Sequence, residues 1–142
     1  MTRLLPFKRD ARQKQARVIV QILGGLGNQM FQYALGRAIS ERIGAPLLLD
    51  TSVIDYAHQE THRCYDLDIF RLQPTFATRA DVSRYHSHGA SWVGKVAHRL
   101  RGGTRAPEIV RQYKFGYQPA ILDLRPPLYI EGYWQSYRYF AS

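Results

Sequence analysis

A chain of 142 residues, 45% hydrophobic and 13% aromatic, has the makings of one globular domain with its own core, which excludes overall disorder. Its formal net charge of +9, carried mostly by arginine (sixteen of twenty basic residues), suits an anionic partner or a solvated basic surface, the second being the plainer reading of charge alone. The single cysteine, Cys64, excludes an internal disulfide framework, and no apolar run has the length of a membrane span or a signal-peptide core, so the expected location is cytoplasmic.

Residues 1–17 hold six basic side chains against one acid, Asp10, without periodicity. They read as a flexible tail, with peripheral contact to the cytoplasmic face of a membrane as a further role for the charge. Order is expected from Val18, where residues 18–23 form a near-continuous apolar run of the kind buried on both faces of a parallel sheet. Gly24-Gly25-Leu26-Gly27-Asn28-Gln29-Met30 makes a turn. The pattern from Phe31 predicts a helix to about Arg42, with Gly44 as its terminator. Residues 46–50, ending on Asp50, read as a second buried strand. Strand, helix and strand give a βαβ unit, hence an α/β fold with a Rossmann-like parallel sheet.

Further along, Tyr65-Asp66-Leu67-Asp68-Ile69-Phe70 is a short strand or a packing loop, and Thr78 caps a short helix through about Tyr85. Residues 90–101 form a basic amphipathic helix with Trp92, Val93, Val96 and Leu100 on one side, broken by Gly102-Gly103-Thr104. Strands are expected around Ile109-Val110 and, after Pro126-Pro127, at Leu128-Tyr129-Ile130. Six aromatics then crowd the last positions: Tyr129, Tyr133, Trp134, Tyr137, Tyr139 and Phe140. Such a cluster two residues from the end reads as a fold cut part-way, with docking onto the domain's own core as the alternative.

The glycine turn carries the chemistry. A strand, a glycine-rich bend and a helix N-terminus bring backbone N–H groups toward an anion, helped by the helix dipole. Asn28 and Gln29 add uncharged amides that read sugars and phosphates, although Asn28 also suits a helix N-cap. Gly25, Gly27 and Asp50 imitate a dinucleotide-binding layout, but Met30 stands where close helix–strand packing wants a glycine or alanine. No Gly-Lys-Ser or Gly-Lys-Thr follows, so the phosphate loop of nucleotide triphosphatases is excluded. A basic nucleic-acid-binding module is the other alternative, weakened because the basic residues are scattered rather than alternating with aromatics.

Residues 20–34, Val20-Gln21-Ile22-Leu23-Gly24-Gly25-Leu26-Gly27-Asn28-Gln29-Met30-Phe31-Gln32-Tyr33-Ala34, resemble the opening motif of glycosyltransferase family 11, the α-1,2-fucosyltransferases. Residues 65–70, and residues 129–136 with Tyr139-Phe140, resemble later family segments, the second being its Gly-Tyr-Trp-Gln-Ser segment. The resemblance implies residues 18–142 as the N-terminal lobe, truncated, of a two-lobed GT-B-type glycosyltransferase. It further implies inverting transfer of fucose from GDP-fucose to the 2-hydroxyl of a galactose-terminated glycan, with no metal cofactor and no nucleic-acid partner. Arginines and main-chain N–H groups would then meet the charge growing on the leaving diphosphate. Gly25, Gly27, Asn28 and Gln29 would line the cleft, with Trp134 and Gln135 behind them, Trp134 rather as core packing. Asp50 would hold an acceptor hydroxyl or cap the following loop. Family members carry a His-x-Arg-Arg-x-Asp motif that this sequence lacks; His62-Arg63 and His98-Arg99 have other spacings and read as surface or core residues. The catalytic residues are therefore unassigned, and the isolated chain is expected to transfer no fucose.

Overall fold

Four strands of four residues build the sheet, three of them largely apolar: β1 (Val18–Gln21), β2 (Leu47–Asp50), β3 (Glu108–Arg111, the exception) and β4 (Leu128–Glu131). The structure is a computed structural model that describes residues 16–54, 63–88 and 108–141. All pairings are parallel, and the strand order is β2-β1-β4-β3, so the last strand in sequence inserts beside the first. This is the expected α/β, Rossmann-like parallel sheet. Val18 aligns with both Leu47 and Leu128, which brings the carboxyl ends of β1, β2 and β4 to one edge.

Side chains alternate across the sheet, so each strand feeds two cores. Val18, Val20, Leu49, Leu128 and Ile130 face α1 (Leu26–Ile43) through Leu35 and Ile39. Ile19, Leu48 and Tyr129 face the other way, onto Tyr85 and Val82 of α2 (Arg79–His88). The central strands β1 and β4 are sealed on both faces, as their unbroken apolar runs require. Beyond β2, Leu49 donates its N–H to Thr75 O at 2.9 Å and accepts from Ala77 N at 2.8 Å, so that outer edge is covered as well.

Helix α1 starts at Leu26, five residues before Phe31, because Gly25 is its N-cap and receives the N–H groups of Asn28 (3.0 Å) and Gln29 (3.1 Å). Gly44 closes it as expected. Close packing on the sheet comes from Gly36, not from position 30. A Cβ there would sit 2.6 Å from Val20 Cγ2 and 2.8 Å from Leu47 Cδ1, whereas Met30 is 45% exposed. Residues 67–69 form a single 3₁₀ turn (Leu67–Ile69) rather than a strand, pinned by buried Leu67. Helix α2 begins where Thr78 was expected to cap it.

Arg17, at the inner limit of the expected tail, already belongs to the fold. Its C=O accepts the Leu128 N–H at 2.9 Å and its guanidinium pairs with Asp81. Of the closing aromatics, Trp134 and Tyr139 dock into this chain's own core, their rings 5.9 Å apart and nearly perpendicular, while Tyr137 stays exposed. Trp134 and Tyr139 thus dock as the alternative expected, whereas Tyr133 and Phe140 join Tyr137 among the exposed aromatics. The rest of the tail and the amphipathic helix expected at 90–101 lie outside the described residues.

Candidate functional site

The chain leaves β1 and β4 side by side at one edge of the sheet, and three glutamines fix the two exits. Gln32, fully buried on α1, accepts from Leu23 N and donates to Gly132 O, both at 3.0 Å, tying the turn after β1 to the loop after β4. Gln29, also fully buried, donates to Gly24 O (2.9 Å) and Cys64 O (2.8 Å) and accepts from Asp66 N (2.9 Å). Gln112, just past β3, accepts the N–H groups of Tyr133 and Trp134 at 3.0 Å each. Unpaired amides would be costly here, so each bond also selects one loop conformation.

The expected site residues divide between surface and interior. Gly25 caps α1, and Gly27 is exposed in its first turn. Asn28 is the third helical residue, not the N-cap. Its carboxamide lies over Gly24, which has φ +77 and could carry no side chain without meeting Asn28 Nδ2. Asn28 Oδ1 accepts from Nε2 of the exposed Gln135 at 2.5 Å, across 107 positions of sequence. These two carboxamides stand at the mouth of the turn. Gln29 and Trp134 do not reach it: both are buried, Gln29 bonded throughout to protein groups and Trp134 packed in the core in a left-handed conformation, φ 53.

Sequence reasoning missed Arg63. A Cβ placed on Gly25 would lie 2.9 Å from Arg63 Nη1, so the guanidinium packs directly against the cap of α1. The segment reaches this position because Gln29 holds Cys64 and Asp66. The helix supplies no acid in its first turn and no capping side chain. The Leu26 and Gly27 N–H groups have no intrahelical acceptor, as in any helix start. A guanidinium, a positive helix end and two carboxamides thus share one small region, an arrangement able to hold an anionic group with flanking hydroxyls.

Asp50 ends β2 one strand away, with its C=O accepting Ile22 N at 2.8 Å. Its side chain is 2% exposed, receiving the Tyr129 hydroxyl at 2.5 Å and the Ser52 N–H at 3.0 Å. It therefore does cap the following turn. Burial first, then the Asp50 carboxylate, pushes the Tyr129 phenol well above its ordinary range, so it remains a donor. Gln21 Nε2 steadies that hydroxyl at 3.3 Å. On the outer side, a hydrogen bond to Asp66 raises the exposed Cys64 thiol. Among the described residues no group of three or more His, Cys, Asp or Glu could hold a metal ion, and no helix is long and apolar enough to cross a membrane. No protein-family profile, curated protein or solved structure matches the chain.

Proposed function

We propose that this fold is the glycine-turn lobe of an inverting fucosyltransferase that moves fucose from GDP-fucose to the 2-hydroxyl of a galactose residue. One observation carries the reading. The two stretches that resemble the family's motifs, residues 20–34 and 129–136, meet through the Gln135–Asn28 and Gln32–Gly132 hydrogen bonds at the carboxyl edge of adjacent parallel strands. In open α/β sheets that edge is where ligands bind. A resemblance of sequence alone would not require the two stretches to touch.

The chemistry assigns roles. As the glycosidic bond to the diphosphate breaks, negative charge grows on the β-phosphate; Arg63 and the Leu26 and Gly27 N–H groups meet it at the positive end of α1. Asn28 and Gln135 hold donor oxygens without adding charge that would oppose the oxocarbenium-like sugar. Gln29 and Gln32 are positioning residues that keep the turn in shape. The acceptor hydroxyl loses its proton to a group that the described residues leave unassigned.

Calorimetric titration of the full chain with GDP tests the reading. Binding is the proper readout, because residues 1–142 contain no His-x-Arg-Arg-x-Asp sequence. Saturable binding that falls about tenfold in Arg63→Ala is expected, as for loss of a charge-assisted hydrogen bond. Binding of NAD in preference to GDP, or salt-steep binding of an oligonucleotide instead, would replace it with one of the two alternatives.

A further inference from the structure

Between the carboxyl end of β2 and the start of α2 lies a cleft of about 510 Å³, lined by Asp50, Thr51, Ser52, Arg79, Val82 and Ser83 among others. That volume falls in the range of small-molecule sites, roughly 300–1,000 Å³. It opens on the α2 side of the sheet, and none of its lining residues belongs to the glycine turn. We infer that it binds a neutral, hydroxyl-rich ring, a pyranoside, through the carboxylate of Asp50.

Three observations converge. Asp50 is 2% exposed yet lines the cleft, and Tyr129 and Ser52 N hold its two oxygens in fixed directions. A carboxylate has about four acceptor sites, so two bonds to protein leave capacity for ligand hydroxyls. Arg79 and Asp50, of opposite charge, both line the cleft. A phosphate would face the carboxylate and an amine would face the guanidinium, so a ligand that both donates and accepts without net charge suits the pair. Finally, Val82 and Ala77 give the cleft an apolar surface for the C–H face of a sugar ring. Ser52 and Ser83 line it as well, the Ser83 hydroxyl donating to Ala80 O at 3.1 Å. Identifying the pyranoside with the acceptor of the transfer rests on the function proposed above; the hydroxyl-binding cleft does not.

Amide NMR of the isotope-labelled full chain, titrated with methyl β-galactoside and separately with adenosine, tests the inference. Saturable shifts at residues 50–52 and 79–83 are expected with the galactoside, weakened about tenfold in Asp50→Asn. Should that variant unfold, the exposed-site variant Arg79→Gln carries the test, with at least about threefold weakening expected. No saturable shift in the folded wild type, equal affinity in the folded variants, or displacement by inorganic phosphate would overturn it. Tighter binding of adenosine than of the galactoside would make the cleft a ribose site and overturn the pyranoside assignment. GDP, read at Gly25 and Gly27, reports on the glycine turn independently, so the two proposals fail separately.

Discussion

Helices α1 and α2 begin in opposite ways. Helix α2 closes its own start: Thr78 Oγ1 accepts Asp81 N at 3.2 Å, and Asp81 Oδ2 accepts the Thr78 N–H at 3.0 Å, a reciprocal capping box. Helix α1 starts on Gly25, with no capping side chain and no acid in the first turn. Its order comes from below, where Gln29 and Gln32 bind the strand exits, and Arg63 rather than a carboxylate stands over its end. A local cap satisfies a helix start and closes it to solutes. A start braced by distant amides has no such side-chain cap, and a cation stands beside it; the anion site proposed above rests on that difference.

The sharpest way to break this contrast is to remove the brace. Gln29→Leu keeps approximate bulk but leaves the Asp66 N–H and the Gly24 and Cys64 carbonyls without their partner. The expected loss is about 3 kcal/mol of unfolding free energy, read from urea transitions. Gln32→Leu orphans Leu23 N and Gly132 O and is expected to cost about 2 kcal/mol. If either variant stays within about 0.5 kcal/mol of the parent, the buried amides are not what orders α1, and the comparison collapses.

The surface half of the motif predicts the reverse pattern. Asn28→Ala removes one bond to exposed Gln135 and should change stability by about 0.5 kcal/mol or less. It should nevertheless weaken GDP about tenfold, because the carboxamide faces the mouth of the turn. Stability and affinity measured on Gln29→Leu and Asn28→Ala then separate bracing from binding. Large destabilisation in Asn28→Ala would merge the two roles.

The sequence pattern made the elements plain and their neighbours obscure. Apolar tetrads at 18–21, 47–50 and 128–131 announce strands because both faces are buried, and Gly44 and Thr78 announce helix ends through local chemistry. The start of α1 is not legible in the sequence because the Gly25 N-cap leaves no side-chain signature. Strand order was invisible, since nothing local tells β4 to enter between β1 and β3. The same limit hid half of the site. Glutamine on a helix looks solvent-facing until the fold supplies backbone partners for it, although Gln29 and Gln32 sit three apart, on one helix face. Arg63 carried no signal at all: its place over Gly25 depends on long-range bonds to the residues that follow it.

The last prediction belongs to α2 and tests the other side of the comparison, with no effect expected on GDP. Thr78→Ala should cost about 1 kcal/mol, the usual value of an N-cap, with no change in GDP affinity. The box also has an acid signature. Partial burial alone would raise the Asp81 carboxyl, but hydrogen bonds from Thr78 and the charge of Arg17 outweigh it and hold it below its ordinary value of 3.8. A carboxyl lowered in the folded state stabilises fully above its unfolded value, and that contribution disappears as pH falls through the folded one. Stability should therefore decline on acidification below about pH 4, and Asp81→Asn should flatten that limb while leaving neutral-pH binding of GDP intact. Helix α1 has no carboxylate in its first turn, so Asn28→Ala should leave the same limb unchanged, and an acid-dependent difference there would place a titrating partner at the open end.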